Sequence, residues 1–196
     1  MKRSILGLVL SGGRSRRLGR DKAQLSFHDG AKQLDYMLSL LDTFCENLAI
    51  SCRSSQIEGR ASRFDAALIY DAEGIVGPVA GVLAGLKYAG GGAVLTVACD
   101  MPLLDPASLL KLLSLRNPEK LATCFIARDG KPEPMCAVYE AACLPALEEW
   151  VAKGDFSLRR FLEKSGVEGI TLKESQLLAS VNTFDDVEAV RKRLAR

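Results

Sequence analysis

The run Ile5-Leu6-Gly7-Leu8-Val9-Leu10 stops at Ser11-Gly12-Gly13 and passes into residues 14–22, which carry four arginines and a lysine. A nearly unbroken aliphatic stretch closed by glycines is the pattern of a strand buried on both faces of a parallel sheet. Glycine lets backbone N–H groups approach an anion closely, and the cations that follow supply charge that a helix terminus offers only in part. The stretch therefore predicts a buried first strand that opens into a phosphate cradle. A solvated basic turn is the plainer alternative.

Alternation continues downstream. Leu34, Met37, Leu38, Leu41 and Phe44 recur at three-and-four spacing and predict a helix. Strands are expected at 48–52, 66–70 and 93–99, with a small-residue helix after Gly77-Pro78 and a crossover helix over 106–115 capped by Asp105. Gly81 and Gly85 inside the small-residue helix signal a close approach, to a strand or to a ligand. The later part is less regular: strands at 122–127, 135–139 and 169–172, the middle one antiparallel to its predecessor across an Asp129-Gly130 turn, and helices near 144–151, 158–164 and 184–194. Asn182 and Thr183 are cap candidates for the last helix, whose charges run from Asp185 and Asp186 to Arg191, Lys192 and Arg193, as the helix dipole favours. The pattern predicts a Rossmann-like, doubly wound α/β fold with a mostly parallel, mixed sheet flanked by helices.

The 196 residues suffice for one domain with a sizeable core, and a single domain over 1–196 is expected. No apolar run approaches the roughly 18 residues that a membrane span needs, and the basic start lacks the cleavage pattern of a signal peptide. A cytoplasmic protein with no membrane partner is expected. A net charge of +2 argues against a nucleic-acid partner. Six cysteines without a C-x-x-C pair, most beside apolar runs, read as buried reduced thiols. The single histidine, His28, cannot supply a two-histidine metal site.

The glycine loop fits neither common phosphate motif. A P-loop needs Gly-Lys-Ser/Thr, but Gly19 is followed by Arg20-Asp21-Lys22, and the dinucleotide fingerprint needs glycine where Arg14 stands. Asp100 closes the strand at 93–99, and in an open parallel sheet ligands bind beyond the carboxyl ends of the strands, so Asp100 is expected in the same crevice as the loop.

Leu10-Ser11-Gly12-Gly13, Ser15, Arg17, Leu18-Gly19 and Asp21-Lys22 together resemble the signature of the molybdenum cofactor guanylyltransferases and their nucleotidyltransferase relatives. The likeness continues in order through Gly77-Pro78-Val79-Ala80-Gly81, Cys99-Asp100-Met101-Pro102, Asp129-Gly130, Ser157-Leu158-Arg159-Arg160 and Val181-Asn182-Thr183. It implies a nucleotidyltransferase-type fold, with a nucleotide-binding half over about 1–115 and a molybdopterin-binding half over 116–196. The implied reaction is attack by the terminal phosphate of molybdopterin on the α-phosphate of GTP. Pyrophosphate leaves and a guanine dinucleotide cofactor forms. Other cofactor-maturation proteins and acceptor molybdoenzymes are the implied protein partners.

In-line displacement at an α-phosphate gathers anions and demands positioning and charge stabilisation rather than a protein nucleophile. Lys22 suits this as a point charge, Arg14 and Arg17 as planar forks on phosphate oxygens, and Asp100 as the ligand of Mg2+, or of Mn2+. Lys22, Arg17 and Asp100 are thus the expected catalytic group. Leu10, Ser11, Gly12 and Gly13 are expected against base and sugar, with Gly77 and Pro78 nearby. The resemblance also implies Asp71 beside the nucleotide, where its carboxylate can accept from the N1–H and amino group of guanine, and puts Asp129, Arg159, Arg160 and Asn182 on the molybdopterin side.

The sequence departs from the family at two places. Ser51, Cys52 and Arg53 occupy the end of the second strand, where an asparagine is common, so the base contact falls to Ser51 or Arg53. Ser180 stands where a second asparagine is common. Gly12 and Asp21-Lys22 favour the guanylyl branch over a cytidylyltransferase or another small-metabolite nucleotidyltransferase. A non-catalytic nucleotide-binding protein of the same fold is the remaining alternative.

Overall fold

A computed structural model describes residues 5–13, 18–56, 62–172 and 174–195. The first half runs β1 (Ile5–Leu10), a short hairpin of β2 (Ser26–His28) and β3 (Ala31–Lys32), α1 (Gln33–Asp42), β4 (Asn47–Cys52), β5 (Ala66–Tyr70), α2 (Pro78–Tyr88), β6 (Ala93–Ala98) and α3 (Pro106–Ser114). The second half runs β7 (Ala122–Ile126), β8 (Pro132–Tyr139), α4 (Cys143–Ala152), α5 (Leu158–Lys164), β9 (Glu168–Thr171) and α6 (Phe184–Leu194).

Seven strands form one mixed sheet in the order β5-β4-β1-β6-β8-β7-β9, with β2 and β3 apart from it. β1 lies parallel to β4 and β6, and β4 parallel to β5. Leu10 is level with Ser51 on one side and Ala98 on the other, so β1, β4 and β6 end along one edge. β8 is antiparallel to β6 and β7, with Cys136 opposite Val97. Its amino-terminal end therefore emerges where the carboxyl end of β6 does.

Side-chain alternation along the strands divides the core. Val9, Ile50 and Val97 pack with Leu34, Leu38 and Leu41 of α1 and Leu109 and Leu112 of α3. Leu8, Leu10 and Ala49 face the other way, onto Val79, Val82 and Leu83 of α2 and Phe161 of α5. At Gly85 a Cβ would stand 2.5 Å from Leu8 Cδ2, and at Gly81 one would stand 2.8 Å from Leu10 Cδ2. The α2 glycines thus serve close helix–strand approach. A smaller third cluster joins Leu18, Val181, Val187 and Val190, with Leu25, Phe27 and Leu103 against it.

Two elements differ from the sequence reading. β8 begins at Pro132 rather than 135, because Pro132 and Glu133 pair with Ile126 and Phe125 past a register shift after Cys124. The β2–β3 hairpin carries no hydrophobic periodicity of its own. It turns at Asp29 and Gly30, both with positive φ (44° and 76°), the conformation favoured in two-residue hairpin turns. The caps behave as expected: Asp105 accepts from Ser108 N, and Thr183 with Asp186 forms a capping box on α6. All six cysteines are buried thiols outside any disulfide, and burial pushes those of Cys45, Cys124 and Cys143 up to about 12. No helix among the described residues is long and apolar enough to cross a membrane.

Arg116, just past α3, donates from Nε and Nη2 to the Glu140 carboxylate at 2.6 and 2.7 Å, tying the end of the first half to the end of β8. Both side chains are nearly buried, and the hydrogen bonds to Glu140 are the main reason the guanidinium's pKa is raised. Removing one member of a buried pair strands the other charge, at a cost of about 3–5 kcal/mol. Arg116→Met should accordingly destabilise the protein by about 3 kcal/mol in urea unfolding, and pairing it with Glu140→Leu should recover most of that loss.

Candidate active site

The sheet's hydrogen-bond ladder runs slightly past the strands and fixes the start of each loop. Ser11 N donates to Ser51 O (2.8 Å), Cys99 N to Leu10 O (3.1 Å) and Asp71 N to Cys52 O (3.0 Å). Gly12, Asp71 and Asp100 each stand one residue beyond or at the last of these bonds. A cavity of about 800 Å³ opens there, lined by Leu10, Gly12, Gly13, Ser51, Arg53, Asp71, Gly77, Pro78, Gly81 and Met135 among others. That volume lies in the range of about 300–1,000 Å³ usual for small-molecule sites. Gly77 (φ 85°) caps α2 and Pro78 opens it, so the helix N-terminus borders the cavity.

Ser51 is almost fully buried, and its hydroxyl donates to the Asp71 carboxylate. The hydroxyl proton is therefore committed to Asp71, and the serine orients the acid. Gly12 makes room for it, since a Cβ there would run into Asp71 Oδ2. Arg53 lines the cavity while its Nε donates to Gln56 Oε1 (3.3 Å), and Gln56 Nε2 donates to Gly13 O (3.1 Å). Gln56, which no sequence motif marks, thereby links the loop after β4 to the glycine loop.

Beside the cavity, Lys22 lies in a 3-10 turn capped by Asp21. Its ammonium donates to Asp100 Oδ2 and to Asn182 Oδ1, both at 2.8 Å. Asp100 and Asn182 are brought together by the backbone, because Val181 N donates to Asp100 O (2.8 Å). Asn182 N and Thr183 N both donate to Asp186 Oδ2, so the α6 cap fixes the asparagine. The resemblance implies Asn182 on the molybdopterin side; in the structure its side chain accepts from Lys22. Ser180 is exposed nearby.

On the second half, Arg159 reaches Asp129 Oδ2 (3.4 Å) and Glu133 Oε2 (3.5 Å). Arg160 pairs instead with Asp155 (2.8 Å), so the two adjacent arginines have different partners. Glu133 was not singled out in the sequence, although an acid between Pro132 and Pro134 in an apolar strand is a signal. Burial pushes its carboxyl pKa up, and the charges of Asp100 and Asp129 add to the rise, while the Met135 amide and Arg159 oppose it. Arg14 and Arg17 lie outside the described residues. Among the described residues no group of three or more His, Cys, Asp or Glu side chains could hold a metal ion.

A glycine loop sharing one sheet edge with a lysine held by an aspartate and an asparagine suits an α/β enzyme that moves nucleotidyl groups. Comparison with known proteins agrees. The model of the MobA-like NTP transferase domain matches residues 7–169. A molybdenum cofactor guanylyltransferase of Pseudomonas putida is 36% identical over 170 residues, 86% of this chain and 87% of that protein. A probable molybdenum cofactor guanylyltransferase of Mycobacterium avium is 33% identical over 95% of this chain and 94% of its own length. Among solved structures, molybdopterin-guanine dinucleotide biosynthesis protein A of Archaeoglobus fulgidus superposes with a TM-score of 0.78 at 27% identity, covering 97% of this chain and 99% of that one. The chain belongs to the MobA-like NTP transferase family, and its fold is that of a nucleotidyltransferase.

The contact between Gly12 and Asp71 supplies a test. Overpacking a fitted site costs about 1–3 kcal/mol. Gly12→Ala should leave the fold intact by circular dichroism while weakening GTP binding about tenfold or more in calorimetry, since about 1.4 kcal/mol is a factor of ten.

Proposed function

We propose that this protein transfers GMP from GTP to the terminal phosphate of molybdopterin, releasing pyrophosphate and forming a guanine dinucleotide cofactor. The observation that carries the reading is the meeting of Lys22 with Asp100 at the sheet edge where Leu10, Gly12 and an oriented aspartate, Asp71, line a cavity. The names borne by the relatives support it.

On this reading the base lies against Leu10, Ser11, Gly12 and Gly13, with Gly77 and Pro78 bordering it. Asp71, held by Ser51, accepts from the N1–H and amino group of guanine, for which a carboxylate has enough lone pairs even with one oxygen engaged by the serine. Lys22 places its ammonium on the phosphates, joined by Arg14 and Arg17 as planar forks. Arg159 and Asp129 recognise the acceptor, with Arg160 at the rim, and Asn182 sits where acceptor and donor meet. The first half to about residue 115 thereby handles the nucleotide and the remainder the acceptor.

Asp100 fits a magnesium or manganese ion. Its carboxylate is a hard oxygen donor, only partly exposed, at the carboxyl end of β6. A lone carboxylate suits an ion whose other ligands are substrate phosphates and water. Such an ion supplies neutralisation of phosphate charge when bound. The remaining work falls to the chain's own groups: Asp71 fixes the base, Lys22 stabilises charge that grows on the leaving group, and the loops exclude water. None of these needs to form a covalent bond.

A nucleotide panel tests the assignment. With molybdopterin and Mg2+, GTP should give faster pyrophosphate release than CTP, and a preference for CTP would overturn the guanylyl reading. Removing a charge-stabilising donor typically costs about 2.7–4 kcal/mol of barrier. Lys22→Ala should lower turnover at least about tenfold in a protein that remains folded, and near-normal turnover would remove Lys22 from the site.

A further inference from the structure

His28 takes no part in the chemistry above, yet it stands at the centre of a contact set that joins the two principal catalytic groups. It lies on β2, six residues past Lys22, and its Nε2 is 2.8 Å from Pro102 O, two residues past Asp100. A carbonyl oxygen only accepts, so Nε2 carries a proton and donates. The imidazole stacks on the Tyr36 ring with centroids 3.7 Å apart, and Tyr36 Oη donates to Leu104 O at 2.8 Å. Burial pushes the Tyr36 pKa up, with the charge of Asp105 adding to it, which keeps the phenol protonated as a donor.

The segment after β6 is thus held at the carbonyls of residues 100, 101, 102 and 104. Asp100 O accepts from Val181 N, Met101 O from Leu104 N, Pro102 O from His28 and Leu104 O from Tyr36. One of these bonds is internal to the segment. The 181 contact comes from the approach to α6, and the other two come from the hairpin and α1, the elements that follow Lys22. Leu103 packs in the same region against the cluster of Leu18, Val181 and Val187.

We propose that His28 is a positioning residue, which with Tyr36 forms a strut fixing the Asp100 segment relative to Lys22. This inference rests on the proposed nucleotidyl transfer for its activity readout. The strut sets the separation between the carboxylate that would hold a divalent cation and the ammonium that meets the phosphates. In such sites a displacement of about 1 Å can cost up to a hundredfold in rate.

Three variants separate donor, stack and fold. His28→Phe keeps an aromatic face for Tyr36 and loses the donor. His28→Gln replaces the donor and loses the stack, and Tyr36→Phe removes only the second hydrogen bond. Each is measured by thermal unfolding, by the split between kcat and KM for GTP, and by Mn2+ titration followed by EPR in the presence of GTP without acceptor. His28→Phe should lower kcat about tenfold and raise the Mn2+ midpoint by a similar factor, with KM for GTP changed less than about twofold, as expected when position rather than affinity is lost. Tyr36→Phe should move the same quantities in the same direction, and His28→Gln should return to within about threefold of wild type.

Wild-type kcat and Mn2+ midpoint in both His28→Phe and Tyr36→Phe would overturn the proposal. So would losses that follow thermal destabilisation alone, or a His28→Gln variant as impaired as His28→Phe. The Mn2+ titration needs bound nucleotide but no turnover. A wild-type protein that released no pyrophosphate would therefore refute the proposed function while the titration still decided the role of His28.

Discussion

An ammonium shared between a carboxylate and a carboxamide joins three distant parts of this chain, and the surrounding structure keeps the three together. Lys22, Asp100 and Asn182 come from the loop after β1, the end of β6 and the approach to α6. The interaction itself contributes little to holding them, because a partly exposed ion pair stabilises a protein by at most about 1 kcal/mol. The convergence must come from elsewhere. The third apolar cluster provides it, since Leu18 precedes Lys22, Leu103 follows Asp100, and Val181 adjoins Asn182. Burying these side chains together stabilises the arrangement more than the charges do, at about 1.5–3 kcal/mol for each large aliphatic group fully buried.

The reversal of β8 has an equally direct consequence. A parallel strand at that place would have put its carboxyl end at the site, as β1, β4 and β6 do. Running antiparallel to β6, β8 instead presents its first residues there, and with them Glu133, Met135 and the Asp129 turn. Met135 lines the cavity, and Glu133 feels the charge of Asp100 while facing Arg159. One change in strand direction thus brings the second half of the chain to the same edge as the glycine loop.

What the sequence made legible was whatever depends on local pattern. Apolar runs ending in Ser11-Gly12-Gly13 or Asp100-Met101-Pro102 mark strand ends, and Asp105 or Thr183 before an amphipathic stretch marks a helix start. Such signals need only a few neighbouring residues. The hairpin at residues 26–32 was less visible because its strands are too short to show alternation. Its one local mark is Asp29-Gly30, which the structure turns through positive φ at both residues. The commitment of Ser51 to Asp71, of Asn182 to Lys22 and of Arg160 to Asp155 was not legible at all at the level of pattern. Each depends on which rotamer meets which partner after the chain has folded. Glu133 falls between: its flanking prolines are visible, but its burial follows from the strand extension that the bulge permits.

The base end of the cavity shows why single positions there cannot vary independently. Ser51, Cys52 and Arg53 occupy the strand end where the family commonly has an asparagine, and the short, buried side chain of Ser51 is occupied by Asp71. On the proposed reading, recognition of the base rests on the aspartate, whose orientation is set from one side by the serine and from the other by the space over Gly12. Gly81 belongs to the same arrangement, because a Cβ on it would lie 2.5 Å from Ser51 Oγ. A side chain at 81 would collide with the Ser51 hydroxyl, and a side chain at 12 would displace the acid that Ser51 holds. Substitutions among residues that share partners in this way are coupled rather than additive. On the proposed reading, a change of base preference therefore calls for concerted substitution at Gly12, Ser51, Asp71 and Gly81.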